Sequence, residues 1–127
     1  MKMTNRDLLE LAALAAGYNT KHQWNKDRLL LEPVVDALVV YDKGELLATG
    51  WDPLEDDGNA LRLAIKLDIS VDVDLMGKRT YVTFGFFKER QLIEDHGDDP
   101  YAATRRAIVH AAARLGTVKS QGVSNDN

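Results

Sequence analysis

The sequence predicts an α+β fold in which three helices alternate with two antiparallel strand pairs, in the order α-β-β-α-β-β-α. Three observations predict it. Apolar residues recur at helical spacing near both ends of the chain and in its middle. Ile69, Val71, Val73 and Leu75 alternate with Ser70, Asp72 and Asp74, the period of a strand with one wet face. Two glycine-bearing turns, Asp42-Lys43-Gly44 and Met76-Gly77-Lys78-Arg79, each separate two strand-like runs, which favours hairpins over crossovers.

The elements follow in order. Thr4 and Asp7 form a capping box with the shorter acid, and Leu8, Leu11, Ala12 and Ala15 lie on one helical face. Gly17 supplies a left-handed stop. Residues 18–36 read as irregular, since Asn19 to Gln23 is loop-like and Pro33 ends or edges any strand begun at Leu29-Leu30-Leu31. Ala37 to Tyr41 and Glu45 to Thr49 make the first hairpin. After the loop Gly50 to Asp57, Asp56 or Asp57 caps a helix over about Gly58 to Leu67. Its apolar residues cover most of the circumference, which predicts burial on more than one side. Thr80 to Phe87 pairs with the alternating strand, its aromatics Tyr81, Phe84, Phe86 and Phe87 reading as core, and Gln91 to Glu94 is a candidate edge segment. Asp98 or Asp99 caps a last helix with Pro100 at its first position, and Ile108, Ala111, Ala112 and Leu115 form its stripe. Gly116 is its expected end, and Lys119 to Asn127 reads as a frayed polar tail.

A chain of 127 residues with these elements reads as one domain over 1–118 followed by the tail 119–127. The absence of cysteine excludes a disulfide scaffold, a thiol nucleophile and every cysteine-ligated zinc or iron–sulfur site. Sixteen basic against twenty acidic residues leave a net charge of −4, so a domain-wide basic footprint for nucleic acid is missing. The stretch Leu8 to Ala16 is too short and amphipathic for a signal peptide, and no run approaches the ~18 apolar residues of a membrane span. A soluble cytoplasmic protein with no membrane partner is expected. No P-loop, dinucleotide fingerprint, zinc-protease pattern or nucleophile elbow occurs, and no cofactor or metal is predicted.

Two stretches resemble a known signature: Trp51-Asp52-Pro53-Leu54-Glu55-Asp56-Asp57-Gly58-Asn59-Ala60-Leu61-Arg62 through Leu67, and Asp99-Pro100-Tyr101-Ala102-Ala103-Thr104-Arg105-Arg106-Ala107-Ile108-Val109. With the opening Thr4 to Ala12, they make the chain similar to the phage ABA sandwich domain family, small proteins of tailed phages and prophages. The resemblance implies a three-layer α/β/α sandwich and a phage or prophage origin. It implies no reaction. Asn59 stands where relatives are expected to carry an acid.

The candidate binding residues are Trp51, Asp52, Pro53, Asp56, Asp57 and Arg62. One reading is structural: Trp51 and Leu54 staple the loop to the helix, Asp57 caps, and Arg62 bridges back to Asp52 or Asp56. The other is a recognition loop, an exposed tryptophan among arginine and acids that meets a host protein such as a defence component. A third makes a small-molecule or nucleotide site, or a hydrolase, where this helix meets the sheet, with Arg62 holding an anion and Asp56 or Asp57 as base. Arg105, Arg106 and Arg114 give the last helix a basic side, a weak footprint for nucleic acid, with Asp98 and Asp99 as neutralising neighbours. Asp52, Glu55, Asp56 and Asp57 match no calcium-loop spacing. His96 sits in the acidic run Glu94 to Asp99, which reads as a hydrophilic loop before a helix. A homodimer that covers a sheet edge is a further expectation.

Overall fold

The computed structural model describes residues 2–122. Helix α1 spans Asn5–Ala16. Thr4 Oγ1 accepts from the Asp7 amide at 3.0 Å, the Asp7 carboxylate accepts from the Thr4 amide at 3.1 Å, and Gly17 at φ 82° closes the helix. Its buried face is Leu9, Ala12, Ala13 and Ala16 with Arg6, one residue on from the expected stripe. Both stripes have helical spacing. The smaller side chains turn inward because α1 packs on another helix at close range.

That partner is α4, Pro100–Gly122. Asp99 caps it, accepting from the amides of Tyr101 at 2.9 Å and Ala102 at 3.1 Å. The helix does not stop at Gly116, as its sequence suggested. Gly116 is buried inside it, and a Cβ there would collide with the Leu11 carbonyl oxygen and lie 2.7 Å from its carbonyl carbon. This glycine serves close approach of two helices, not termination. The tail is therefore helical through Gly122, and its remaining residues 123–127 lie outside the described ones.

The strands divide between two antiparallel sheets. Leu38–Asp42 (β1) pairs with Glu45–Trp51 (β2), and Ser70–Asp74 (β3), Arg79–Phe84 (β4) and Arg90–Asp95 (β5) form a sheet in the order β3-β4-β5. The expected edge segment is thus a full strand, and the element order gains it. Between the two sheets in chain order comes α3, Asp57–Lys66, capped by Asp56 through a 2.8 Å bond from the Asn59 amide. It buries Ala60, Leu63 and Ala64 but leaves Leu61 and Ile65 exposed, so burial on several sides is not what its apolar residues achieve.

Much of the fold gathers on α4, which packs against α1, α3, β4 and β5. Thr80, Val82 and Phe84 of β4 are fully buried toward it, and Ala107, Ile108, Val109, Ala111 and Ala112 of α4 join the same core. Phe86 and Phe87 do not. They stand 89% and 81% exposed beyond β4, edge to face at 4.6 Å. The chain turns at Gly85, φ 101°, so the strand ends before they can alternate into the core.

Residues 18–36 are held by side chains and by one backbone bridge, Asn19 to Tyr41. They hold a short helix α2, Gln23–Asp27, and a 3₁₀ turn, Arg28–Leu30. Buried Arg6 donates to three main-chain carbonyls, of Asn25 at 2.6 Å, Val35 at 3.0 Å and Asp36 at 3.1 Å. Buried Asn25 accepts from the Val39 amide at 2.8 Å and donates to the Val39 and Thr20 carbonyls, both at 2.9 Å. Arg28 reaches the Ala37 carbonyl at 3.0 Å.

Two outcomes follow from this packing. Gly116→Ala lowers the unfolding free energy by about 3 kcal/mol in urea denaturation, the scale of core overpacking, whereas Gly122→Ala, with open space around it, changes little. Asn25→Ala costs about 2 kcal/mol or more in the same measurement, because it orphans the buried Val39 amide.

Candidate functional site

The predicted binding residues come to lie in different environments. Trp51 is 3% exposed, packed edge to face on Tyr18 at 5.6 Å, and Pro53 is fully buried. The exposed tryptophan of a recognition loop is therefore not presented. Trp51 ends β2 and, with Leu54, is drawn into the core beneath the helices. Asp56 spends its carboxylate on the α3 cap, the first of the two acids expected there. Arg62 is exposed, and among the described residues it forms no ion pair to Asp52 or Asp56.

Asp52 shapes the loop. Its carboxylate accepts from the Leu54 amide at 3.1 Å, and its carbonyl accepts from the Glu55 and Asp56 amides at 3.0 and 2.9 Å. Partial burial pushes its carboxyl above the ordinary aspartate value of 3.8, and the nearby carboxylates of Glu55 and Asp36 push the same way, against the Leu54 hydrogen bond.

The basic side of α4 is largely engaged. Arg105 donates from Nε to the Leu54 carbonyl at 2.8 Å and from Nη1 to Asp57 at 2.6 Å. Arg106 donates to Glu94 at 3.2 Å. The neutralising acids are thus Asp57 and Glu94, not Asp98 and Asp99. Arg114 is exposed, with no ion pair among the described residues. His96, read as part of a solvated loop, is buried, its Nε2 lying 2.8 Å from Thr80 Oγ1, which in turn lies 2.8 Å from Thr104 Oγ1. The hydroxyl chain satisfies the imidazole inside the core. Among the described residues no group of three or more His, Asp or Glu side chains is placed to hold a metal.

What the molecule does present is an apolar groove of about 490 Å³ between α3, β3 and α4. Leu61 forms one wall, Val71, Val73 and Leu75 the other, and Tyr101, Thr104 and Ile108 of α4 line its base. Its origin is geometric. The cross-strand partners Val71↔Val82 and Val73↔Thr80 put both valines on the face that turns toward α4. Yet α4 covers β4 and β5 more than β3, whose residues are all exposed. The connection Leu67–Ile69 joins the two walls in sequence, and the Ile69 amide bonds to the Ala64 carbonyl at 2.8 Å. The Asp57–Arg105 pair lines the groove as well. Of the predicted binding residues only Asp57 contributes to the lining, and Arg105 joins it from the other set.

Sequence reasoning missed Leu61, Val73 and Tyr101 as surface. The signal was present, since the surplus of apolar residues around α3 exceeded what one buried face could use. No family model, curated protein or solved structure matches the chain.

Asp52 supplies a pH test. A carboxyl raised in the folded state binds protons more tightly folded than unfolded, so stability falls as pH rises from 3.8 through the folded value. Asp52→Asn keeps an acceptor for the Leu54 amide and removes that fall. The melting temperature of the variant exceeds that of the parent at neutral pH, and the difference shrinks toward zero below about pH 3.8.

Proposed function

We propose that the chain is a non-enzymatic binding module, an accessory protein of a phage or prophage that engages a host protein in the host cytoplasm through the α3–β3–α4 groove. The observation that carries this reading is the groove: it is open, walled by Leu61, Val71 and Val73, and belongs to a small chain whose core is already complete without those side chains. Apolar surface held in a concave site on rigid elements is the ordinary basis of recognition. Support against chemistry at the predicted acids comes from their engagement: Asp56 caps a helix and Asp57 holds Arg105. Arg105 and Arg106 are likewise engaged, which weakens the nucleic-acid reading. The phage setting rests on the residue resemblance of Trp51 to Leu67 and Asp99 to Val109.

The three-layer α/β/α arrangement belongs to the same proposal. In it α4 and its neighbours form one layer and β3–β5 the second. The outer face of that sheet, with Asp72 and Ile93, is open to solvent, and no helix among the described residues lies on it.

One observation favours a second reading. A volume of about 490 Å³ falls in the range of small-ligand sites, so an apolar small molecule is the alternative occupant. It would not use Asp56 and Arg62, which do not line the groove.

The test is affinity capture of the tagged protein from the phage-bearing host, beside Leu61→Asp. Leu61 is 60% exposed, so the variant keeps the fold, as circular dichroism checks. A host protein captured in stoichiometric amount by the parent falls about tenfold with Leu61→Asp, the loss expected for one ruined apolar anchor. Capture undiminished by the variant overturns the groove reading.

A further inference from the structure

This inference rests on the groove reading and names the occupant. We infer that the groove takes an extended polypeptide segment that pairs with the edge of β3 and alternates apolar with basic side chains. β3 is an edge strand. Among the described residues its only strand partner is β4, and no backbone hydrogen bond reaches Ser70–Asp74 from any other element. An edge of unpaired amides and carbonyls beside a slot is the site at which a strand adds to a sheet.

The two faces of β3 dictate the occupant's chemistry. On the inner face Val71 and Val73 look into the groove, opposite Leu61. On the outer face Ser70, Asp72 and Asp74 alternate with them, so two of its three outward side chains are carboxylates. No ion pair to Asp72 or Asp74 occurs among the described residues; the Asp74 carboxylate accepts from the Gly77 amide at 2.9 Å, and Arg79, its cross-strand neighbour, is paired with Asp95 at 3.2 Å, which leaves Asp72 as the unengaged charge. An added strand has period two. Residues of one parity therefore meet the valines and Ile108, and those of the other lie on the face that carries Asp72. Lysine or arginine there complements charge that the sheet leaves unbalanced.

The same charges argue against a second copy of this chain. Antiparallel self-pairing centred on Asp72 sets that carboxylate against its own copy, and like charges directly opposite are unfavourable. β5, the other edge of the sheet, carries Arg90, Leu92 and Glu94 on its inner face and so offers no apolar row.

Three capped nine-residue peptides test this: one alternating valine with lysine, one alternating valine with glutamate, and one with the composition of the first in two blocks. Fluorescence anisotropy measures affinity, and amide hydrogen exchange locates the contact. The valine–lysine peptide binds the full chain about tenfold more tightly than either control, and slows exchange at alternate amides of Ser70–Asp74. Asp72→Lys, a substitution at an exposed position, weakens that peptide about fivefold and makes the valine–glutamate peptide the better ligand. Equal binding by the blocked peptide, protection confined to α3 and α4, or dimerisation of the chain through β3 overturns the inference. If no peptide protects β3 while Leu61→Asp still weakens host capture, strand addition falls and the groove reading stands. If Leu61→Asp leaves capture intact, both fall.

Discussion

The structure depends on how closely α1 and α4 approach. Alanines line both sides, Ala12, Ala13 and Ala16 on α1 and Ala111, Ala112 and Ala113 on α4, and at Gly116 even a methyl group would meet the backbone of Leu11. Helices that pack this tightly gain dispersion contacts over their backbones and leave no void for side chains to fill. Because the obstacle is a main-chain carbonyl, no change of the Leu11 side chain relieves a larger residue at 116. The helix pair is thus a fixed post. α3 and the sheet β3–β5 are hung on the remaining sides of α4, and the groove is the gap left where that helix ceases to cover β3.

This order of dependence explains what was legible in the sequence. The caps were, because Thr4 with Asp7, Asp56, and Asp99 with Pro100 act within one helical turn. So were both hairpins and the antiparallel character of the sheets, since turn glycines and a period of two are local signals. The failures are those of facing. Leu8-Leu11-Ala12-Ala15 and Leu9-Ala12-Ala13-Ala16 are equally periodic, and only the partner helix decides between them. Gly116 carries the signature of a helix end and instead serves a contact more than a hundred residues away in sequence.

The site was legible only in part. Trp51 in an acidic loop looks like an anchor for a partner, but a tryptophan next to a strand end is equally suited to closing a core, and here it does so against Tyr18. Asp57 and Arg105 were both singled out, yet nothing in sequence showed that they pair across 48 residues. Val71 and Val73 read as core because they alternate correctly. That they face a slot depends on the reach of α4, a tertiary quantity. Phe86 and Phe87 failed for a similar reason, since a turn at Gly85 broke the alternation that assigned them inward.

The anchoring of residues 18–36 has its own consequence. Arg6 and Arg28 grip carbonyl oxygens, of Asn25, Val35, Asp36 and Ala37, and a carbonyl is the same whatever side chain its residue bears. The fastening is blind to the sequence it fastens. Leu29, Leu30, Leu31 and Val34, all exposed, contribute no side-chain group to it. The fold therefore separates a constant frame from an interchangeable surface on one loop, so that the outward face can be rewritten residue by residue while its backbone path stays in place.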